Sequence, residues 1–421
     1  MKILAINPWI YDFAAYDFWL KPYGFLVLLS YLQKNGFEID YIDCLKQIAP
    51  GKFGRGKYQS QIIKKPQILK LIPRYFKRYG ISIEQLQTQL QNKNPQLILI
   101  TSSMTYWYPA IVDLTKILKK RFPSVPIVLG GTYATLLPQH AKETTFCDYF
   151  FTNYNLKDFF KLLNIDYQPY ELFSTLPKYE NFYSEFNYVV LRTSWGCPFS
   201  CSYCAIKKLA TYSLRIPIKT ILDFVIEYSK KTKEFVLYDD AFLYEQEYVK
   251  NFLSNIADLN LNINFHTPNA LHLRFLNQEI AYLLKKTNFI NPHFGLETLN
   301  PTLQKIWGDK VNQTDIIRAI KFLKNAGYKD GEFSFYLLLG YPQQNLEELK
   351  KEIEFLHSLG AKVSLAEFSP VPETEIFQEY KEILKEPLLH NNSIFYFFNQ
   401  NIDDLWEIKN YARELNKKFS N

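Results

Sequence analysis

Three of the five cysteines crowd into one short run, Thr193-Ser194-Trp195-Gly196-Cys197-Pro198-Phe199-Ser200-Cys201-Ser202-Tyr203-Cys204, with the spacing C-x3-C-x2-C. Thiolates are the ligands of iron–sulfur clusters, and a cubane cluster has four irons. Cys197, Cys201 and Cys204 can hold three of those irons. The fourth is then open to a cofactor or substrate, much as a catalytic zinc keeps one position free. Two ordinary readings compete. A structural zinc site wants four ligands in two pairs, and the sequence has no second C-x2-C pair. A fully ligated electron-transfer cluster needs a fourth cysteine, and only Cys44 and Cys147 remain, both in the N-terminal half. An odd number of cysteines, clustered in this way, is no disulfide framework.

The elements around this run must position it. From residue 188 apolar strands are expected at 188–193, 234–238, 261–265, 292–296, 334–339 and 362–367, with helical stretches between them. Six strand-plus-helix units in a row predict a partial (β/α)6 barrel of the TIM type over 188–385, followed by a C-terminal helical extension over 386–421. Chemistry-bearing residues recur at the strand ends: Asp239-Asp240 after the second, His266 after the third, Glu297-Thr298 after the fourth, Gly340-Tyr341-Pro342 after the fifth. Two adjacent Asp at a strand end are also what a helix N-cap looks like.

The first half alternates apolar strands (2–6, 37–43, 97–101, 126–129) with helical stretches, which predicts an α/β domain over 1–164: a doubly wound, Rossmann-like parallel sheet. Ligands of such sheets sit at the carboxyl ends of the strands. Those ends carry Asn7-Pro8, Ser102-Ser103 and Gly130-Gly131, small residues that let a ligand approach the backbone. Residues 46–83 interrupt the pattern with ten Lys or Arg and no Asp or Glu. Such a segment is either a solvated insertion or a contact for something anionic. Residues 165–187, aromatic and without periodicity, read as a linker.

With these motifs in view, the chain resembles the radical S-adenosylmethionine superfamily, in the branch with an N-terminal cobalamin-binding-type domain. The C-x3-C-x-aromatic-C run, with Tyr203 as the aromatic, carries the resemblance, and the strand-end motifs follow in the family's order. The resemblance implies a 4Fe-4S cluster on the three cysteines, whose open iron chelates S-adenosylmethionine. Reductive cleavage then gives a 5′-deoxyadenosyl radical that takes hydrogen from a substrate. It implies that Asp239 and Asp240 contact the methionine amino group. Glu297 would accept from the ribose, and Gly340 and Pro342 would lie near the adenine. Where relatives often have Pro-Gly-Thr, this chain has Pro372-Glu373-Thr374, so that turn is expected to differ. Ser102, Ser103, Gly130 and Gly131 match the corrin-domain pattern. The D-x-H-x-x-G motif does not: the loop from Asn7 to Gly24 contains no histidine. Cobalamin-dependent C-methylation and non-methylating radical chemistry on a degenerate cobalamin domain therefore both stay open.

A tRNA methylthiotransferase would need three further N-terminal cysteines for a second cluster, and two are present. A non-catalytic iron–sulfur or S-adenosylmethionine-binding protein is the remaining reading. The expected partners are an unidentified organic substrate and an electron donor such as ferredoxin or flavodoxin, with no call for nucleic acid. A net charge of +7 on 421 residues permits an anionic partner without requiring one. No run approaches the roughly 20 apolar residues of a membrane span, and the start reads as a strand rather than a signal peptide; the expectation is cytoplasmic. His140, His266, His272, His293, His357 and His390 are scattered; His266 and His293 are expected at strand ends facing the site.

Overall fold

The computed structural model describes residues 1–210, 212–394 and 401–420. The chain forms two compact units. The first comprises Met1–Tyr188 with Lys208–Leu214 and Lys381–His390. The second comprises Val189–Lys207, Arg215–Tyr380 and the residues from Asn391 on.

The first unit is built on five parallel strands: β1 (Lys2–Asn7), β2 (Glu38–Asp43), β3 (Leu97–Ile100), β4 (Ile127–Leu129) and β5 (Tyr149–Phe150). Their order across the sheet is β5-β4-β3-β1-β2. Ile3, Leu4, Ala5 and Ile6 are fully buried in the central strand, as a strand covered on both faces requires. The chain leaves β1 through α1 (Tyr23–Lys34) to β2 on one side, then crosses to β3 on the other. The carboxyl ends of β1 and β3 are thus the switch point at which such sheets take ligands. The basic insertion is folded: the strand Lys77–Tyr79 lies between Ile10–Asp12 and Ser60–Ile62 in an antiparallel sheet, so the loop after β1 and the insertion are one structure. Most of its lysines are nevertheless exposed, as a solvated insertion requires. Residues 165–187 pack on the first unit. Tyr179 is fully buried, and the Lys178 N–H donates to the Ser30 hydroxyl of α1.

The second unit holds six parallel strands in two three-stranded sheets, each in sequence order. The first is β6 (Val189–Leu191), β7 (Glu234–Leu237) and β8 (Asn264–His266); the second is β9 (His293–Glu297), β10 (Ser334–Leu339) and β11 (Lys362–Glu367). Between β8 and β9 the ladder continues through the segment after His266, where Leu271 N–H donates to the His293 carbonyl and Gly295 N–H to the Leu271 carbonyl. Helices α2 (Ile218–Tyr228), α3 (Gln246–Asp258), α4 (Gln278–Lys286), α5 (Gln313–Asn325) and α6 (Leu346–Ser358) separate the strands. Helix α7 (Ile402–Lys417) closes the last edge: Asn416 bonds both the Val363 N–H (3.0 Å) and the Val363 carbonyl (2.7 Å) of β11. An edge strand so covered cannot recruit another chain. Among the described residues no helix is long and apolar enough to cross a membrane.

Candidate functional site

The cysteine run leaves the carboxyl end of β6, and its anchor comes from β7. Leu191 pairs with Leu237 in register, which sets Thr193 opposite Asp239 two residues on. The Asp239 carboxylate accepts from the Thr193 N–H (3.0 Å), the Thr193 hydroxyl (2.6 Å) and the Ser194 hydroxyl (2.6 Å). It is 2% exposed, and burial pushes its pKa up against the pull of those donors. Asp240 accepts from Arg192 Nη1 (2.6 Å) and the Gly196 N–H (3.1 Å). Both carboxylates thus hold the chain that enters the cysteine run: Asp239 is buried among the chain's own donors, and Asp240 uses one oxygen, Oδ2, for Arg192 and Gly196. Neither is an N-cap, because α3 starts only at Gln246. Together they fix positions 192, 193, 194 and 196, immediately before the first cysteine. Gly196 has φ +86°, a conformation glycine adopts without cost.

Cys197, Cys201 and Cys204 are free, part-buried thiols on the following loop. The Cys204 N–H donates to the Cys201 carbonyl, and Lys207 Nζ donates to the Cys197 carbonyl (2.7 Å). The Phe199 ring stacks on His272 at 4.5 Å, and burial drops that imidazole to about pKa 3, so it packs as a neutral ring. Burial also raises the Cys197 and Cys204 thiols, while Lys310 pulls them back towards thiolate. Gly308 passes close: a Cβ there would lie 3.2 Å from Cys201 Sγ. Three thiols on one loop, each able to take a different iron, are a donor set that fits a four-iron cluster.

Glu297 ends β9 at a register shift between Gly295 and Glu297, with φ +66°. Bulges re-aim side chains beside functional sites. Here Glu297 Oε1 accepts from the Tyr203 hydroxyl (3.1 Å) and from Lys310 Nζ (2.9 Å). Burial pulls Lys310 down, but Glu297 and the cysteines around it more than offset this, and the amine stays charged. The Tyr203 ring meets Trp307 edge-on at 5.9 Å, and Trp307 meets Tyr341 at 4.8 Å. Lys310 and Trp307 escaped the sequence reading because nothing in their spacing ties them to the cysteines. Gln344 escaped likewise: its side chain accepts from the Gly340 N–H (2.6 Å) and donates to the Leu338 carbonyl (2.8 Å), closing the Gly340-Tyr341-Pro342 turn. Glu373 takes φ +68°, so this turn adopts the left-handed backbone that favours glycine without having one.

Thr298 and the Leu299 N–H both donate to Glu352 Oε1 of α6 (2.8 and 2.7 Å). Burial lifts Glu352 from 4.5 to about 7. The folded protein thus keeps this proton to higher pH than the unfolded chain. The contribution of this one group is fully present below about pH 4.5 and is lost as pH rises towards 7, by on the order of 3 kcal/mol. Glu352→Gln keeps the acceptor oxygen and is expected to flatten the fall in melting temperature between pH 5 and 8; an unchanged slope would contradict this assignment.

In the first unit, the Ser102 hydroxyl donates to the Gly130 carbonyl (2.6 Å), and Gly131 has φ +91°, where a Cβ would lie 2.3 Å from the Ser102 carbonyl oxygen. Ser102 is buried and Ser103 exposed. These residues close-pack the rim of the switch point, and the Ser102 hydroxyl is spent on the rim itself. Gly131→Ala is expected to cost about 2–4 kcal/mol, read in the unfolding of the first unit. The polar centre nearby is one the sequence reading missed. Asp43 accepts from Asn7 Nδ2 (2.8 Å), Tyr183 (2.7 Å) and Tyr41 (3.2 Å). Beside it Lys21 Nζ sits 3.3 Å from the centre of the Tyr188 ring, its pKa pulled by burial to about 8. The loop after β1 brings Trp9, Tyr11 and Phe13 into the core and no histidine. A corrin at this rim would find close backbone but no lower axial ligand from that loop.

The two strand-end histidines fare differently. His293 is the first residue of β9, at the end away from Glu297, stacked on Tyr336. His266 does end β8, but it is 2% exposed and its Nε2 is held at 2.5 Å by Glu234 from the start of β7. His266 and His272 have a spacing zinc sites use, but one is tied to Glu234 and the other to Phe199. Cys44 and Cys147 do not add a second cluster site. They adjoin β2 and β5, the two opposite edges of a five-stranded sheet, about 19 Å apart at the usual strand spacing.

Residues 192–356 match the model of the radical SAM superfamily. The chain is similar to an uncharacterized methyltransferase of Pyrococcus horikoshii, with 23% identity over 369 residues, 77% of each chain. It is also similar to the ribosomal protein uS12 methylthiotransferase RimO of a Hydrogenobaculum species, with 22% identity over 54% of this chain and 62% of that one. Among solved structures, the fold is similar to the radical S-adenosylmethionine methyltransferase TsrM of Kitasatospora setae with cobalamin and a 4Fe-4S cluster bound. The TM-score is 0.65, with 14% identity over 91% of this chain and 78% of that one.

Proposed function

We propose, from the match of residues 192–356 to the radical SAM superfamily model, that the chain is a cobalamin-dependent radical enzyme that methylates carbon on an organic substrate. The observation that carries the reading is the cysteine loop: three free thiols, pinned through Asp239 and Asp240, beside the joined side chains of Tyr203, Glu297 and Lys310. When bound there, the cluster supplies the electron that splits S-adenosylmethionine into methionine and a 5′-deoxyadenosyl radical, which takes a hydrogen atom from a substrate carbon. A corrin at the first unit's switch point would supply the methyl group.

The chain's own residues position the reactants. Cys197, Cys201 and Cys204 leave one iron open. Lys310, charged and part-buried, offers an ion-pair partner for the methionine carboxylate. Glu297, turned by its bulge, offers an oxygen to the ribose hydroxyls. The turn Gly340–Pro342, held by Gln344, presents backbone near the adenine. The aromatic group of Tyr203, Trp307 and Tyr341 keeps water from the radical. The fold likeness to TsrM and the glycine rim at Gly130 and Gly131 support the corrin. The histidine-free loop and the spent Ser102 hydroxyl favour a second reading, radical chemistry without methyl transfer.

The test is to incubate anaerobically reconstituted protein with hydroxocobalamin, remove unbound corrin, add S-adenosylmethionine and reductant, and measure products. The proposal expects a retained corrin spectrum with both 5′-deoxyadenosine and S-adenosylhomocysteine. 5′-Deoxyadenosine alone, with no retained corrin, would leave the second reading in possession.

A further inference from the structure

We propose that the basic insertion docks the protein on a membrane surface carrying anionic phospholipid headgroups. The loop between the strands Ser60–Ile62 and Lys77–Tyr79 sorts its apolar residues into two sets. Leu69, Ile72 and Phe76 turn inward and are buried. Ile68, Leu71 and Tyr75 turn outward, with Leu71 93% and Tyr75 70% exposed, and Ile62 is more than half exposed beside them. The outward set is not slack chain. Pro66 and Pro73 fix the backbone on either side, Gln67–Leu69 forms a 3-10 turn, and Lys65 Nζ donates to the Ile72 carbonyl at 2.6 Å. An open groove of about 370 Å³ runs past Ile62, Ile63, Pro73 and Tyr75.

Charge surrounds this apolar edge. Lys64 and Lys70 are exposed, and Arg74 and Lys77 partly so. No acidic residue occurs anywhere in 46–83 to balance the ten basic ones. Exposed apolar side chains on a folded loop, interleaved along the chain with exposed cations, match a bilayer surface: the apolar groups enter the headgroup–acyl boundary while the cations meet phosphate. An acidic protein would satisfy the charge and leave Leu71 in water. A nucleic acid would stack on Tyr75 and find no use for Ile62, Ile68 and Leu71. No helix among the described residues is fit to span a bilayer, so the contact is a surface one.

The experiment is co-sedimentation of the full chain with vesicles of phosphatidylcholine alone or mixed with phosphatidylglycerol. Expected is pelleting with the mixed vesicles, weakened by salt. The double variant Leu71→Glu, Tyr75→Glu should partition at least roughly tenfold more weakly at an unchanged melting temperature, because both side chains face water. Lys64→Glu, Lys70→Glu should weaken binding to the mixed vesicles. No pelleting of the parent chain, or pelleting undiminished in the Leu71 and Tyr75 variant, overturns the proposal. Capture by immobilised polyglutamate without pelleting also overturns it, assigning the patch to an acidic protein.

Discussion

Replacing Cys201 by alanine is expected to abolish cluster assembly and reduce 5′-deoxyadenosine formation to the level seen without protein. Losing an outer partner of a metal ligand already costs about 10–100-fold, and here a ligand itself is lost from a set of three. The remaining cysteines, Cys44 and Cys147, belong to the first unit and adjoin opposite edges of its sheet. Cys201 also packs against Gly308, so Cys201→Ser, nearly isosteric, separates ligation from packing. It should keep the parent's melting behaviour in the apo form and still lose the iron. Full iron content in either variant would contradict the assignment.

The second large effect is expected at a residue that touches no iron. Asp239→Ala strips the acceptor from two buried hydroxyls and one buried N–H at once. Each unsatisfied group costs about 1–3 kcal/mol, so the loss is on the order of 3–5 kcal/mol, or roughly 10 °C in the melting of a unit of this size. Because the two units need not unfold together, the change should be read in the transition that reports on the cysteine loop. Iron content should fall with all three ligands intact, since Thr193 and Ser194 no longer hold the loop's entry. Asp239→Asn keeps the shape and one of the two acceptor oxygens, enough for both hydroxyls, and should cost about 1–2 kcal/mol while retaining most of the iron. If Asp239→Ala instead left stability and iron untouched and only weakened S-adenosylmethionine binding, the original strand-end reading of this acid would be restored.

Asp239 shows where sequence reasoning reaches and where it stops. Its place at a strand end was legible, because parallel strands deliver their last residues to one edge and the apolar runs mark where they end. Its job was not, because that depends on the register between β6 and β7, which sets Thr193 across from it. The cysteine loop was legible for a different reason: three soft ligands within one turn-rich run carry their chemistry without help from the rest of the fold. Lys310 and Gln344 arrive through long side chains from loops with no fixed spacing to the motif, and His272 by packing on Phe199. Glu373 marks a further limit, since the turn takes a glycine-like backbone with a glutamate in place. In the insertion, three-residue strands are too short to display an alternating pattern, so its antiparallel sheet was not legible, although the exposure of most of its lysines was.

The central claim is that Cys197, Cys201 and Cys204 hold a four-iron cluster with one open position. The most direct measurement is iron content and 5′-deoxyadenosine formation in the same anaerobically reconstituted sample, with S-adenosylmethionine and a strong reductant. The account predicts about four irons per chain and 5′-deoxyadenosine that appears only with reductant and disappears in Cys201→Ser. Stoichiometric zinc, or a full cluster that never cleaves S-adenosylmethionine, would contradict it.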